Sequence, residues 1–406
     1  MTITREDFRT AWPQVVRNLA VTTHSLDRGE EYAAEAFARA AEQPEGRIDD
    51  LAAWCVAVGR RAWLDDVRRA ERFGKLRYQV AQQAVAESDH DGGGSVLDDR
   101  LALLFVACDD ALAVGGQLVL AMRLVCGLTT AQIAGHLGIS TTTAAARLTR
   151  AKSALARRRG GFTLPDEAQR AVRLPAVLTC LAALLTVGQR DVVDPEDPTA
   201  DPARDALTLA ETLAAEYPRE AEVIGLRACT RLALGRRPGR VRDGVALPLD
   251  EADRSAWDPV LLRAGLADVA RAERLTDEPG RFVLEAAISG LHTTAVTVES
   301  TDWDAVVGLY DALLQRWPAP AVRVARLVAL SRRALRDHGD LTAVENELED
   351  LVADGPPYAA RDAQLALADL AHRTGRPVEA AARYRELAGL LPEGPLAEFC
   401  RQRALR

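Results

Sequence analysis

Apolar residues recur at helical spacing from the start of the chain. Phe8, Trp12, Val15, Val16 and Leu19 share one face of residues 4–23, which predicts an amphipathic helix. A second helix is expected over residues 28–43. A third is expected from Asp49 or Asp50, either of which suits an N-cap, to about Phe73. Its buried stripe is Leu51, Trp54, Cys55, Val58, Ala62 and Val67, and its far end turns basic. The periodicity then stops. Residues 87–95 read ESDHDGGGS, and three consecutive glycines among acids neither hold a helix nor bury a core, so a flexible linker is expected over residues 78–97. Helical periodicity returns at 98–160, with Leu101, Leu104, Phe105 and Cys108, then a short apolar helix over 117–125. From residue 161 to 406 the pattern stays helical, broken at 193–202 and 235–250.

The fold class expected is therefore all-α: two small helical domains, residues 1–77 and 98–160, and a helical extension over 161–406. Near the C-terminus Leu365, Leu367, Ala368 and Leu370 precede Thr374-Gly375-Arg376, and Ala380, Tyr384, Leu387 and Pro392 follow. Small residues at a helix crossing, an aromatic one turn later and a closing proline fit a stacked hairpin of tetratricopeptide character. Other repeats are too degenerate to count.

Composition narrows the function classes. Of 406 residues 48% are hydrophobic and 27% charged, an ordinary globular balance. No uninterrupted apolar run approaches 18 residues, and the polar N-terminus does not read as a signal peptide, so no membrane role and a cytoplasmic location are expected. The six cysteines are scattered, with no CxxC pair and no histidine at ligand spacing, so neither a metal nor a disulfide framework is expected. Phosphate-binding loops, GxSxG, HExxH and dinucleotide fingerprints are absent, which points away from an enzyme and from any cofactor.

The net charge of −8 conceals an asymmetry: residues 1–160 sum to +1 and residues 161–406 to −9. Residues 111–160 hold no acid and seven basic residues: Arg123, Arg147, Arg150, Lys152, Arg157, Arg158 and Arg159. A basic block inside an acidic chain marks a polyanion-binding module.

Within that block residues 129–152 predict a helix-turn-helix. Thr129 or Thr130 caps a short helix whose inner face is Ile133 and Leu137, Ala134 allows close crossing, Gly138 makes the turn at positive φ, and Ile139 plugs it. Ser140 or Thr141 opens the second helix, with Ala144, Leu148 and Ala151 inside. Ser140, Thr142, Thr143, Arg147, Arg150 and Lys152 are the expected DNA-facing set.

The order of parts resembles extracytoplasmic-function sigma factors, which carry sigma regions two and four. Glu30-Glu31 with Glu35 and Phe37 is similar to the polymerase-binding helix of region two. Residues 59–69 (GRRAWLDDVRR) resemble the part that opens and reads the minus-10 element, which implies DNA contacts at Arg60, Arg61, Trp63, Arg68 and Arg69. Residues 128–150 resemble the region-four reader of the minus-35 element. Residues 162–406 resemble the tetratricopeptide-like extension of one subgroup, through Asp243-Gly244, residues 252–258 (ADRSAWD), residues 286–288 (AAI) with His292, Thr301-Asp302-Trp303, and Gly375-Arg376 with Tyr384. The resemblance implies partners (core RNA polymerase and promoter DNA) and a regulatory contact between extension and sigma part. Asp253, Arg254, Trp257 and Asp258 are the candidate special site of the extension, for a small ligand or for docking on the sigma part, or else a structural knot in which Asp253 caps a helix and Arg254 pairs with a carboxylate. Departures are Ala34 and Glu31 in the polymerase-binding helix, Arg61 where the family shows Asn, and Ala144-Ala145-Ala146 where polar readers are common. They leave open an alternative: a helical-repeat scaffold with a DNA-binding sigma relic that does not initiate transcription.

Overall fold

A computed structural model of the chain describes residues 4–43, 48–72, 97–157, 162–193 and 201–405. Apart from Leu97, the expected linker lies outside the described residues, as do Lys75, Arg77, Arg158, Arg159 and residues 194–200. The fold is all-α: among the described residues are eighteen α-helices, two short 3-10 turns and one minimal β-hairpin. Two compact units are formed, Met1–Leu184 and Leu185–Arg406.

In the first unit α1 (Arg5–Thr23) opens on a capping box, Thr4 and Asp7 each accepting the other's backbone N–H. Ser25 caps α2 (Leu26–Ala41), and Asp50 accepts from the Ala53 N–H at the start of α3 (Leu51–Arg72). The α1–α2 crossing is backbone on backbone, for a Cβ at Gly29 would lie 2.6 Å from Ala20 Cα. Phe8, Trp12 and Phe37 form an aromatic cluster with centroids 4.8–5.8 Å apart, one side of α1 being thereby sealed. Next come α4 (Asp99–Ala107), α5 (Val114–Leu124), α6 (Thr130–Leu137) and α7 (Thr141–Ala156). Every residue from Leu101 to Asp109 is buried.

The helix α8 (Glu167–Val193) crosses the unit boundary. Its upstream part belongs to the first unit because Arg173 is buried there. Its guanidinium donates to the Asp109 carboxylate at 2.5 Å and to the Phe105 carbonyl at 3.1 Å. Residues 167–189 are long and apolar enough to span a bilayer by length and composition, an 18-residue window within them having a mean hydropathy of 1.9, but half of that window is buried within the fold. A buried ion pair and packed neighbours are what a core helix shows.

The second unit is a succession of helices, most packed on the next in the chain: α9 (Pro202–Glu216), α10 (Ala221–Arg236), α11 (Pro259–Arg274), α12 (Arg281–Thr294), α13 (Trp303–Arg316), α14 (Pro320–Asp337), α15 (Thr342–Asp354), α16 (Pro357–Arg373), α17 (Pro377–Leu390) and α18 (Pro395–Arg403). Between α10 and α11 lies the hairpin of β1 (Val241–Arg242) and β2 (Val245–Ala246), with Val241 opposite Ala246. Its two-residue loop, Asp243-Gly244, has φ of 51° and 76°, the left-handed pair that such a tight turn requires. Gly375 turns the chain between α16 and α17 at φ 72°, and Ala368, Ala371, Ala380, Tyr384, Leu387 and Phe399 share one core. At the start of the unit α8 and α9 touch through Gly188, where a Cβ would run into the backbone of Ala203.

Candidate nucleic-acid interface

The helix-turn-helix is built by local code. Thr129 and Gln132 form a capping box on α6, Gly138 ends it in the left-handed region at φ 62°, and the Ser140 hydroxyl accepts from the Thr143 N–H at 3.1 Å to start α7. Ile133, Ala134, Ala144 and Ala151 are buried between the two helices and their neighbours, and Leu148 is half-buried.

Burial decides which face of α7 is offered. Thr141, Thr142, Ala145, Ala146, Thr149, Arg150 and Ser153 are exposed at i, i+3 and i+4 spacing, which makes one continuous outer stripe. Of the residues expected to face DNA, Thr142 and Arg150 lie on it. Ser140 and Thr143 are engaged in the cap, their hydroxyls 2.8 Å apart. Arg147 is half-buried with its guanidinium lying along Gly115. Lys152 is turned inward: its Nζ lies 2.6 Å from Glu30 and 3.2 Å from Asp27. Thr149 was not singled out from sequence, although it lies one turn beyond Ala145 and Ala146 on the same stripe.

Glu30 is only 5% exposed, and its second oxygen accepts from Arg123 Nε at 2.7 Å. Arg123 also donates to the Leu128 carbonyl at 3.2 Å and lies 5.3 Å over the Trp12 ring. A residue expected to touch polymerase and one expected to touch DNA are thus joined to each other, for a buried carboxylate needs cations and these are the ones in reach. Phe37 is likewise buried, within the aromatic cluster. Glu31 and Glu35 are exposed, Glu35 pairing with Arg39 at 2.5 Å.

On α3, Arg61, Arg68 and Arg69 project outward, with weak pairs from Arg68 to Asp65 at 3.5 Å and from Arg69 to Asp66 at 3.8 Å. Arg60 is half-buried, and Trp63 is 5% exposed. Its indole is packing, not a platform open to an unpaired base, because the apolar stripe of α3 continues through position 63. Nearby the Tyr32 hydroxyl donates to Asp66 at 3.0 Å, and burial pushes it up to about 12.

In the extension Asp253, Arg254, Trp257 and Asp258 are brought together, and each is engaged in the fold. Asp253 accepts from the Ser255 N–H at 3.0 Å, and Asp258 caps α11 through the N–H groups of Val260 and Leu261. The Arg254 guanidinium lies 4.6 Å over Trp257 and donates to the Ala295 carbonyl at 2.6 Å. His292 packs on Trp303 with centroids 5.5 Å apart; burial, with Arg236 and Arg254 nearby, pushes its imidazole down to about 4. Among the described residues the six cysteines are unbridged, and no group of three His, Cys, Asp or Glu is placed to hold a metal ion.

Comparison with known proteins gives two family matches. "Sigma-70, region 4" matches residues 111–155, the stretch holding α5 to α7. A family of unknown function (DUF6596) matches residues 173–273, which begin at the arginine that reaches Asp109. An uncharacterized protein of Rhizobium meliloti (strain 1021) is 34% identical over 331 residues, covering 80% of this chain and 78% of the relative. No solved structure matches.

Proposed function

From a chain that belongs to one family with that Rhizobium protein and whose residues 111–155 match sigma-70 region 4, we propose a promoter-specific transcription initiation factor of the extracytoplasmic-function type. The single observation that carries this reading is the outer stripe of α7, a capped recognition helix free of acids inside the region-4 match. Thr141, Thr142, Thr149 and Arg150 are the groups it would offer to base edges and phosphates in a major groove. Arg61, Arg68 and Arg69 would meet the minus-10 DNA, and Glu31 and Glu35 the polymerase. The protein binds rather than catalyses and works in the cytoplasm. Residues 161–406, a tetratricopeptide-like extension, regulate the sigma part in cis.

The clasp at Glu30 has a place in this scheme. It holds α2 against α5 and α7, so engagement of polymerase by α2 and of DNA by α7 would begin with its opening. The buried Glu30, together with the exposed Ala34, also supports a second reading, in which the sigma part binds DNA without polymerase and the helical extension is an interaction scaffold.

The deciding experiment adds the purified full chain to core RNA polymerase on its own upstream region. Specific initiation that is lost in Arg150→Ala supports the first reading. DNA binding without co-purification of polymerase, in full chain and Glu30→Gln alike, supports the second. Unchanged promoter binding across salt concentrations after removal of residues 185–406, which leaves the Arg173–Asp109 pair in place, would dismiss regulation in cis.

A further inference from the structure

The second unit holds a cavity of about 560 Å³ that none of the sequence motifs account for. Its volume is that of a small-molecule site. The walls are mostly apolar: Leu247 and Pro248 beyond the β-hairpin, Val324 and Val328 on α14, and Leu365 and Phe399 from α16 and α18. The polar groups are few and unequal. Arg332 and Asp369 face each other at 3.0 Å, and Arg361 pairs with its neighbour Asp362 at 2.8 Å, so both cations are already answered. Arg240 is different. It lines the cavity half-buried, and among the described residues its guanidinium has neither a hydrogen-bond nor an ion-pair partner. Tyr384, whose ring is 1% exposed, lines the same space with a hydroxyl that also finds no partner among them.

A desolvated cation without a counter-charge is costly, and it persists where an anion completes it. The unanswered cation and the apolar walls select a ligand with one negative head and an apolar body. We propose that this cavity binds a small amphipathic organic monoanion, its carboxylate or sulfonate held by Arg240 and its hydrocarbon part lying on Val328, Leu365 and Phe399. The cations and carboxylates lining the cavity leave a single positive charge over, which sets the ligand's charge at −1. Thr186 and Gln189 of α8 are also in the wall, and the same helix carries Arg173. Ligand binding is read on the chain alone, so it stands or falls apart from the promoter reading.

The test uses two probes with the same hydrocarbon body, 1-anilinonaphthalene-8-sulfonate and the uncharged N-phenyl-1-naphthylamine, titrated into the full chain by fluorescence. The expected result is one saturable site for the anion, weakened about tenfold or more in Arg240→Gln, with binding of the neutral probe unchanged there, since a charge-assisted contact alone is lost. Ala366→Phe, which fills the cavity from its α16 wall, is expected to weaken both probes. Circular dichroism and thermal melting matching the wild type certify each variant, and Val328→Phe serves in place of any variant that melts early. Equal affinity of the anion for wild type and Arg240→Gln, or failure of both filling variants to weaken either probe, would overturn the proposal.

Discussion

The two units use charge differently. In the first, the buried or part-buried pairs join helices far apart in sequence: Glu30 with Arg123 across 93 residues, Arg17 with Asp99 across 82 and Asp109 with Arg173 across 64. In the second, most pairs lie within one helix or join helices one or two places apart in the chain, as Arg326–Asp311 does across 15 residues, Arg323–Glu347 across 24 and Arg227–Asp268 across 41. The exceptions, Asp250 with Arg332 and Arg373 and Glu251 with Arg403, tie the segment after the β-hairpin to α14 and the C-terminal helices. Local pairing spreads stability over many small contacts. Long-range pairing concentrates stability in a few contacts, and losing one of them opens much of the unit.

The largest test of that contrast is Asp109→Ala. It strands the Arg173 guanidinium, whose side chain is 6% exposed, and should destabilise the first unit by about 3–5 kcal/mol. Hydrogen exchange read by mass spectrometry should show lost protection confined to residues 1–184. Loss spread evenly over both units would break the contrast.

Next in size is the acid response of the second unit. In the unfolded chain the His292 imidazole returns to its ordinary value of 6.5, whereas in the fold it is held down to about 4. Below the unfolded value the unfolded chain takes up the proton first. Stability is therefore lost as pH falls from 6.5 towards about 4, by up to ~3 kcal/mol. Urea midpoints at pH 7 and pH 5 should fall less in His292→Phe than in the wild type. Equal falls would remove His292 as the cause.

Glu30→Gln should cost about 1.5–3 kcal/mol in the first unit, as a charge-assisted contact does. The same change frees Lys152 and Arg123, so DNA binding should become more salt-dependent, by up to about one unit of log–log slope for each released cation that meets a phosphate. Arg150→Ala should do the opposite, making that slope shallower by about 0.9 without a change in stability. Filter binding across a salt series measures both. A Glu30→Gln slope identical to the wild type would mean that Lys152 faces no phosphate even when released. Smallest of all, Arg326→Ala in the second unit should cost under about 1 kcal/mol by urea unfolding, because exposed pairs contribute little.

What the sequence made legible was local. The Thr129–Gln132 capping box, Gly138 and Ser140 are each specified within four residues, and the helix-turn-helix follows from them. The starts of α1 and α3 are equally local, in Thr4 with Asp7 and in Asp50. What stayed hidden depended on partners remote in the chain. Lys152 and Arg150 look alike on a helical wheel, and only the arrival of Glu30 from α2 turns one inward. Arg147 differs from Arg150 because Gly115 leaves room for a guanidinium beside α5. Trp63 and Phe37 were offered to partners on resemblance, yet their apolar surface is claimed by the core. A signal for the Asp109–Arg173 pair did exist: an arginine at the head of a long apolar run, and an aspartate just before a stretch of fifty acid-free residues. Neither names the other. Nor could the pattern show the cavity around Arg240, whose lining comes from seven separate segments between Thr186 and Phe399.

The contact of α8 and α9 at Gly188 sets how this protein can evolve. Any side chain there meets the backbone of Ala203, and two cavity-lining residues, Thr186 and Gln189, flank that position. Gly308 and Gly389, by contrast, have open space around the missing Cβ. A selection for folded protein run on a randomised codon at 188 should return glycine almost alone. At 308 and 389 it should return nearly the whole alphabet, with alanine favoured over glycine by roughly 0.5–1 kcal/mol at 308, in the interior of α13. The cavity wall around residues 186–189 should then drift less than the open faces of α13 and α17, anchored by a position that only glycine fills.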